Sequence, residues 1–102
     1  MDSKVIWADA AVADLDAAAE YISKDSPAYA ASFVSRSLEA ARSLGTLSER
    51  GRVVPEFKRE DIREIFIYSY RMIYRIEKLQ VSILAIIHGR RDFSRAWDER
   101  DR

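Results

Sequence analysis

No cysteine occurs among the 102 residues, which removes disulfides, thiolate nucleophiles and cysteine-based zinc sites together. There is a single histidine, His88, so a metal site would have to be completed by carboxylates such as Asp92. Neither a metal nor an organic cofactor is expected from that donor set. No apolar run approaches the ~20 residues needed to span a bilayer. The N-terminal stretch MDSKVIWADAAVADL places acids where a signal peptide would carry its apolar core, so a cytoplasmic protein with no membrane partner is expected. An excess of one charge is missing as well: 17 basic side chains balance 17 acidic ones and the pI is about 6.6. A protein built on many phosphate contacts usually has a pI above ~9. The balance is uneven along the chain, with 4 basic and 7 acidic residues before position 49 and 13 and 10 from there on, so arginine is concentrated in the second half.

Glycine and proline are scarce, three and two, and act as punctuation. With 48% hydrophobic and 33% charged residues the composition supports a folded core, and the length supports one domain over residues 1–102. Lys4–Trp7 predicts a short strand. Ala10–Lys24 carries Leu15, Ala18, Ala19 and Ile22 at helical spacing, with Asp9 as its expected cap. Ser26 followed by Pro27 is the signature of a second helix start, and Phe33, Val34, Leu38 and Ala41 give that helix an apolar stripe up to about Leu44. The two helices are expected to form a hairpin lying on a sheet. Gly45, Gly51 and Pro55 mark a polar loop leading to a brief edge strand at Val53–Val54.

The chain's most structured stretch runs from Ile62 to Arg91. Ile62–Tyr68, Arg71–Glu77 and Val81–His88 are rich in β-branched and aromatic residues, and short polar breaks at Ser69–Tyr70 and Lys78–Gln80 predict hairpins and hence an antiparallel meander. A period of two puts Met72, Tyr74 and Ile76 on one face and Arg71, Ile73 and Arg75 on the other. VSILAIIH, apolar at nearly every position, fits a central strand covered on both faces and delivers His88, Gly89, Arg90 and Arg91 at its exit. Glu64 and Glu77 are available partners for Arg63, Arg71 and Arg75. In the tail from Asp92, Phe93 and Trp97 at i, i+4 either form one face of a final helical turn or belong to a loose end. Tyr70, placed in a turn, is the expected surface contact among the tyrosines.

The order strand, two helices, then antiparallel meander, together with GRVVPEF, IREIF, YRMIYRI and IIHGRRDF, resembles the RelE/ParE superfamily of toxins from type II toxin–antitoxin modules over nearly the whole chain. The resemblance implies an α+β fold: an N-terminal strand, a helical hairpin and a three- to four-stranded antiparallel meander. RelE-like members cut messenger RNA in the ribosomal A site, ParE-like members poison DNA gyrase, and both are neutralised by a cognate antitoxin laid across the toxin. Arg71 matches the strand arginine that RelE-like members hold near the scissile phosphate, and Arg91 matches the second, after the last strand. Ile62 and Glu64 occupy the positions of those nucleases' basic pair, and Trp97 occupies that of their C-terminal tyrosine. HGRRDF is similar to the HGxRD ending common in ParE-like members. The resemblance therefore implies a gyrase-binding toxin in which Arg63, Arg71, Arg75, Arg90, Arg91 and Trp97 touch gyrase or the antitoxin. The alternative is a ribosome-dependent endoribonuclease acting on messenger RNA through Arg71, Arg91 and His88. A third reading is a non-toxic binding module that keeps the fold.

Overall fold

The computed structural model describes residues 2–100. In chain order it contains β1 (Lys4–Trp7), α1 (Asp9–Ser23), α2 (Pro27–Ser43), β2 (Arg52–Val53), β3 (Ile62–Ile67), β4 (Tyr70–Ile76), β5 (Gln80–His88) and α3 (Phe93–Arg100). Helix α1 is alanine-rich and buries Ala11, Leu15 and Ala18, one per turn. Its N-cap is Ala8 and not Asp9: Asp9 is already helical, makes no capping bond, and contributes only its charge in the first turn. Helix α2 starts as its sequence predicts, with Ser26 Oγ accepting the Tyr29 N–H at 3.1 Å and Pro27 at the first helical position. Ser37, fully buried on α2, is satisfied by donating to the Phe33 carbonyl at 2.8 Å.

The five strands form one sheet in the order β1-β5-β4-β3-β2. The pairs β2–β3, β3–β4 and β4–β5 are antiparallel, as a meander requires, but β1 lies parallel to β5, so the sheet is mixed. The physical reason is the helical hairpin between β1 and the meander, which covers one sheet face and brings the chain back with β1 on the far side of β5. β5 thereby becomes interior. Its ladder with β4 slips between Ile73 and Tyr74: Ile73 pairs with Ala85 and Tyr74 with Ile83, leaving Leu84 without a partner. This bulge reverses the face of every following residue. Val81 and Ile83 point toward the helical hairpin before it; Ile86 does so after it, while Ala85 and Ile87 turn to the opposite side.

Two cores result. The larger lies between the sheet and α1–α2 and contains Leu15, Phe33, Leu44, Met72, Tyr74 and Ile83. The smaller lies on the other face, where Val54, Ile62, Ile73, Ala85 and Ile87 are covered by Phe93 and Ala96 with Phe57 and Trp97 packed beside them. Residues 93–100 are thus a docked helix and not a loose tail, held by Phe93 stacked on Trp97 at 5.8 Å and by Phe57 set edge-on to both. Asp101 and Arg102 lie outside the described residues. The β3–β4 turn also differs from expectation. Ile67 pairs with Tyr70, so the loop is Tyr68–Ser69, and Tyr70 belongs to β4, where it faces His88 across the ladder. Tyr68 carries the turn at φ 53°, an uncommon conformation for a bulky side chain, held in place by its hydroxyl bond to Ser32 Oγ at 2.7 Å and by stacking on Tyr29 at 4.6 Å.

Candidate functional site

Arg71 points to the α3 side of the sheet, as its period-two partnership with Ile73 predicts. It is not presented to solvent: its side chain is 9% exposed. Its Nε donates to Glu64 Oε1 at 2.6 Å, and its two terminal nitrogens donate to Glu56 at 2.8 and 3.2 Å, a bidentate pair. The flat side of the guanidinium covers the Phe93 ring at 4.4 Å. Glu64, whose side chain is 0% exposed, uses its second oxygen to accept from Arg52 Nε at 2.6 Å. The run Arg52–Glu64–Arg71–Glu56 therefore carries no net charge. Glu56 is held below the usual carboxylate range, chiefly by its hydrogen bond from Arg71, and Arg71 is raised chiefly by the same bond. An incoming phosphate would have to displace a carboxylate already in bidentate contact.

The other pole of the site lies across the sheet. His88 sits beside Tyr70, ring centroids 4.9 Å apart, and both border a groove of ≈ 500 Å³ with Ala17, Tyr21, Arg90 and Arg91. His88 Nδ1 accepts the Arg90 backbone N–H at 3.0 Å, which places the ring proton on Nε2 and makes that atom a donor rather than a base. Burial pushes the Tyr70 hydroxyl above its ordinary pKa, so it too remains a donor. Among the described residues Arg91, 57% exposed, pairs with Glu99 at 3.0 Å, and Arg90 is exposed with no carboxylate partner. The groove's acid, Asp14, is spoken for by the Ile86 N–H at 2.9 Å and by Arg100, which also donates to the carbonyl of the bulged Leu84. Burial raises the Asp14 pKa against those partners. The groove mouth is thus a set of donors and cations fit to contact an acidic surface. No group of three metal-ligating side chains is found among the described residues.

His88 lies on the opposite sheet face from Arg71, and Arg91 borders the same groove as His88. A family model described as the ParE toxin of the type II toxin–antitoxin system, parDE, matches residues 5–93. The chain belongs to the ParE toxin family. No curated protein matches it in sequence. Among solved structures, a chain of the chromosomal ParDE toxin–antitoxin system from P. aeruginosa is similar in fold, with a TM-score of 0.68, 22% identity, and coverage of 84% of this chain and 95% of that one.

On this ParE-family toxin the remaining arginines fall into different environments. Arg63 is docked onto the loop before β2, donating to the Gly51 carbonyl at 3.0 Å and to Glu60, and is largely covered. Arg75 pairs with Glu77 at 3.2 Å and stays partly exposed. Trp97 is half-buried among Phe57, Phe93 and Arg100. Of the six residues expected to touch a partner, Arg90 and Arg91 are exposed and Arg75 partly so, whereas Arg63 and Arg71 are largely covered. Sequence reasoning offered Glu64 as a partner for Arg71 but missed Glu56 and Phe93, which complete its enclosure. The GRVVPEF segment holding Glu56 was the one signal available.

Proposed function

We propose that this toxin stops growth by binding its target, DNA gyrase, in the cytoplasm, and that a cognate antitoxin neutralises it. The observation that carries the reading is the enclosure of Arg71. Cleavage of RNA by a 2′-hydroxyl needs a base for the attacking hydroxyl, cations for the charge developing on phosphorus and an acid for the leaving oxygen. Here the strand arginine that would meet the phosphate is neutralised by two carboxylates, and the one histidine presents a donor on the opposite side of the sheet. A toxin that binds needs neither, and the exposed Arg90 and Arg91 beside Tyr70 and His88 supply a contact surface. No helix among the described residues is long and apolar enough to cross a membrane, which is compatible with a cytoplasmic target.

The test is controlled expression without antitoxin, followed by purification and addition to a gyrase supercoiling reaction and, separately, to ribosomes stalled on messenger RNA. Inhibited supercoiling with intact messenger is the expected result, and an Arg90→Ala/Arg91→Ala variant should inhibit less while remaining folded. Messenger cleavage with normal supercoiling would refute the binding mechanism. Unimpaired growth on expression would remove the toxin activity altogether.

A further inference from the structure

Helix α1 faces the end of β5 with Ala17 and Ala18, and these small side chains leave the groove of ≈ 500 Å³ open between helix and strand. Its floor is apolar, with Ala18 and Ile86 almost wholly buried. Aromatic rings stand at its sides: Tyr70 and His88 set edge-on at 4.9 Å, and Tyr21, 67% exposed. A cleft of this size and lining takes a small molecule.

The mouth is polar and supplies donors. Residues 88–91 form a turn fixed by three bonds: the Gly89 N–H donates to the Ser69 carbonyl at 2.7 Å, the Arg91 N–H to the His88 carbonyl at 3.0 Å, and the Arg90 N–H to His88 Nδ1 at 3.0 Å. The last bond leaves His88 Nε2–H as a donor, and no hydrogen bond among the described residues engages it or the Tyr70 hydroxyl. Arg90 is exposed with no carboxylate partner among the described residues. Arg91 gives one terminal nitrogen to Glu99 in an exposed pair and keeps its other donors. Asp14, which also lines the groove, is occupied by the Ile86 N–H and by Arg100. Two guanidinium groups, an imidazole N–H and a phenol offer more donors than one carboxylate can accept, and they suit a phosphate with its three terminal oxygens.

We infer that this groove binds a single nucleotide, its base on the floor of Ala17, Ala18 and Ile86 beside Tyr21 and its phosphate meeting Arg90, His88 Nε2 and the Tyr70 hydroxyl. Arg91 adds a second cation, and the exposed pair with Glu99 that it would loosen contributes little to stability. The balanced charge of the chain, 17 against 17, is compatible with one phosphate. A nucleic-acid strand calls for cations along a track, whereas at this groove they gather at one end. The site lies on the opposite sheet face from Arg71 and stands whether or not gyrase is the target.

The experiment titrates the whole chain by calorimetry with AMP, GMP, CMP and UMP, each beside its nucleoside, and with inorganic phosphate, while amide NMR shifts locate the site. The best nucleotide should bind at least about tenfold more tightly than its nucleoside or phosphate, because it alone fills both floor and mouth. Its shifts should gather at Ala17–Tyr21 and Ile86–Arg91. Arg90→Ala should weaken the nucleotide about 10–100-fold, as loss of a charge-assisted hydrogen bond predicts, and leave the nucleoside unchanged. Ala17→Phe, at an exposed position of α1, fills the groove and should lower the nucleotide to the affinity of inorganic phosphate. The comparison of nucleotide with its fragments on the parent protein decides the matter even where a variant fails to fold. No binding of any of the four at about 10 mM would overturn the inference. So would nucleotide binding that a folded Ala17→Phe variant leaves unchanged, which reduces the site to a bare anion contact. Affinity for single-stranded oligonucleotides that climbs more than about tenfold above the best nucleotide as length grows would give the groove to a nucleic-acid strand and also overturn it.

Discussion

Replacing Arg71 by alanine removes three charge-assisted hydrogen bonds and the cation lying on Phe93. Glu64 is left fully buried with only Arg52, whose side chain is 59% exposed, as a partner. Deleting one member of a buried ion pair costs ~3–5 kcal/mol because the other charge is stranded. For a domain of this size 1 kcal/mol corresponds to ~4–8 °C in Tm, so even the lower figure predicts a fall of roughly 12–24 °C. Total stability of small domains is ~5–15 kcal/mol, so a loss of this size removes a large share of it. Replacing both charges, as Arg71→Met/Glu64→Gln, strands no charge and should recover most of the loss. Thermal and urea unfolding of the two single variants and the double variant would close the cycle, with a coupling energy of ~1–3 kcal/mol expected. Arg91→Ala, at an exposed pair, should cost no more than ~1 kcal/mol. A stable, folded Arg71→Ala variant whose only defect is lost toxicity would refute the structural assignment and return Arg71 to the functional surface.

Two further outcomes follow from the same side of the molecule. Gly51→Ala should destabilise the fold by ~1–3 kcal/mol or more through overpacking, since a Cβ there would lie 2.5 Å from the Glu64 carbonyl oxygen and 2.7 Å from the Tyr74 hydroxyl. Neither can withdraw readily, because that hydroxyl already donates to the Ser48 carbonyl and accepts the Gly51 N–H; urea unfolding checks this. Glu56, with its pKa lowered in the fold, contributes stability that is present above its ordinary value of 4.5 and is lost as pH falls below it. Glu56→Gln should therefore flatten the acid limb of the stability–pH curve below that value, with an unchanged acid limb as the contrary result.

Much of the architecture was legible in local chemistry. The Ser26–Pro27 start of α2, the strand period that puts Arg71 and Ile73 on one face, and the two-sided apolarity of β5 are properties of neighbouring residues. The motif order pointed to the toxin superfamily for the same reason. Local pattern states which way a side chain points but not what lies opposite, and that is where the tertiary structure decided. The parallel placement of β1 depends on how the helical hairpin returns the chain, and the bulge at Leu84 reverses a face that an uninterrupted period of two would have kept. Tyr70 left its expected turn because pairing with His88 extends β4 by a residue.

The arginines mark the division most clearly. Sequence alone determined that cations crowd the second half of the chain and that Arg71 shares a sheet face with Arg75, because composition and alternation are one-dimensional quantities. Whether a given cation meets solvent is a long-range matter. Glu56 comes from the loop after β2 and Phe93 from α3, and only folding brings both onto Arg71, where desolvation favours charge pairing over exposure. At the end of β5 Arg91 meets Glu99 of α3 yet stays 57% exposed, and Arg90 is exposed with no carboxylate partner among the described residues.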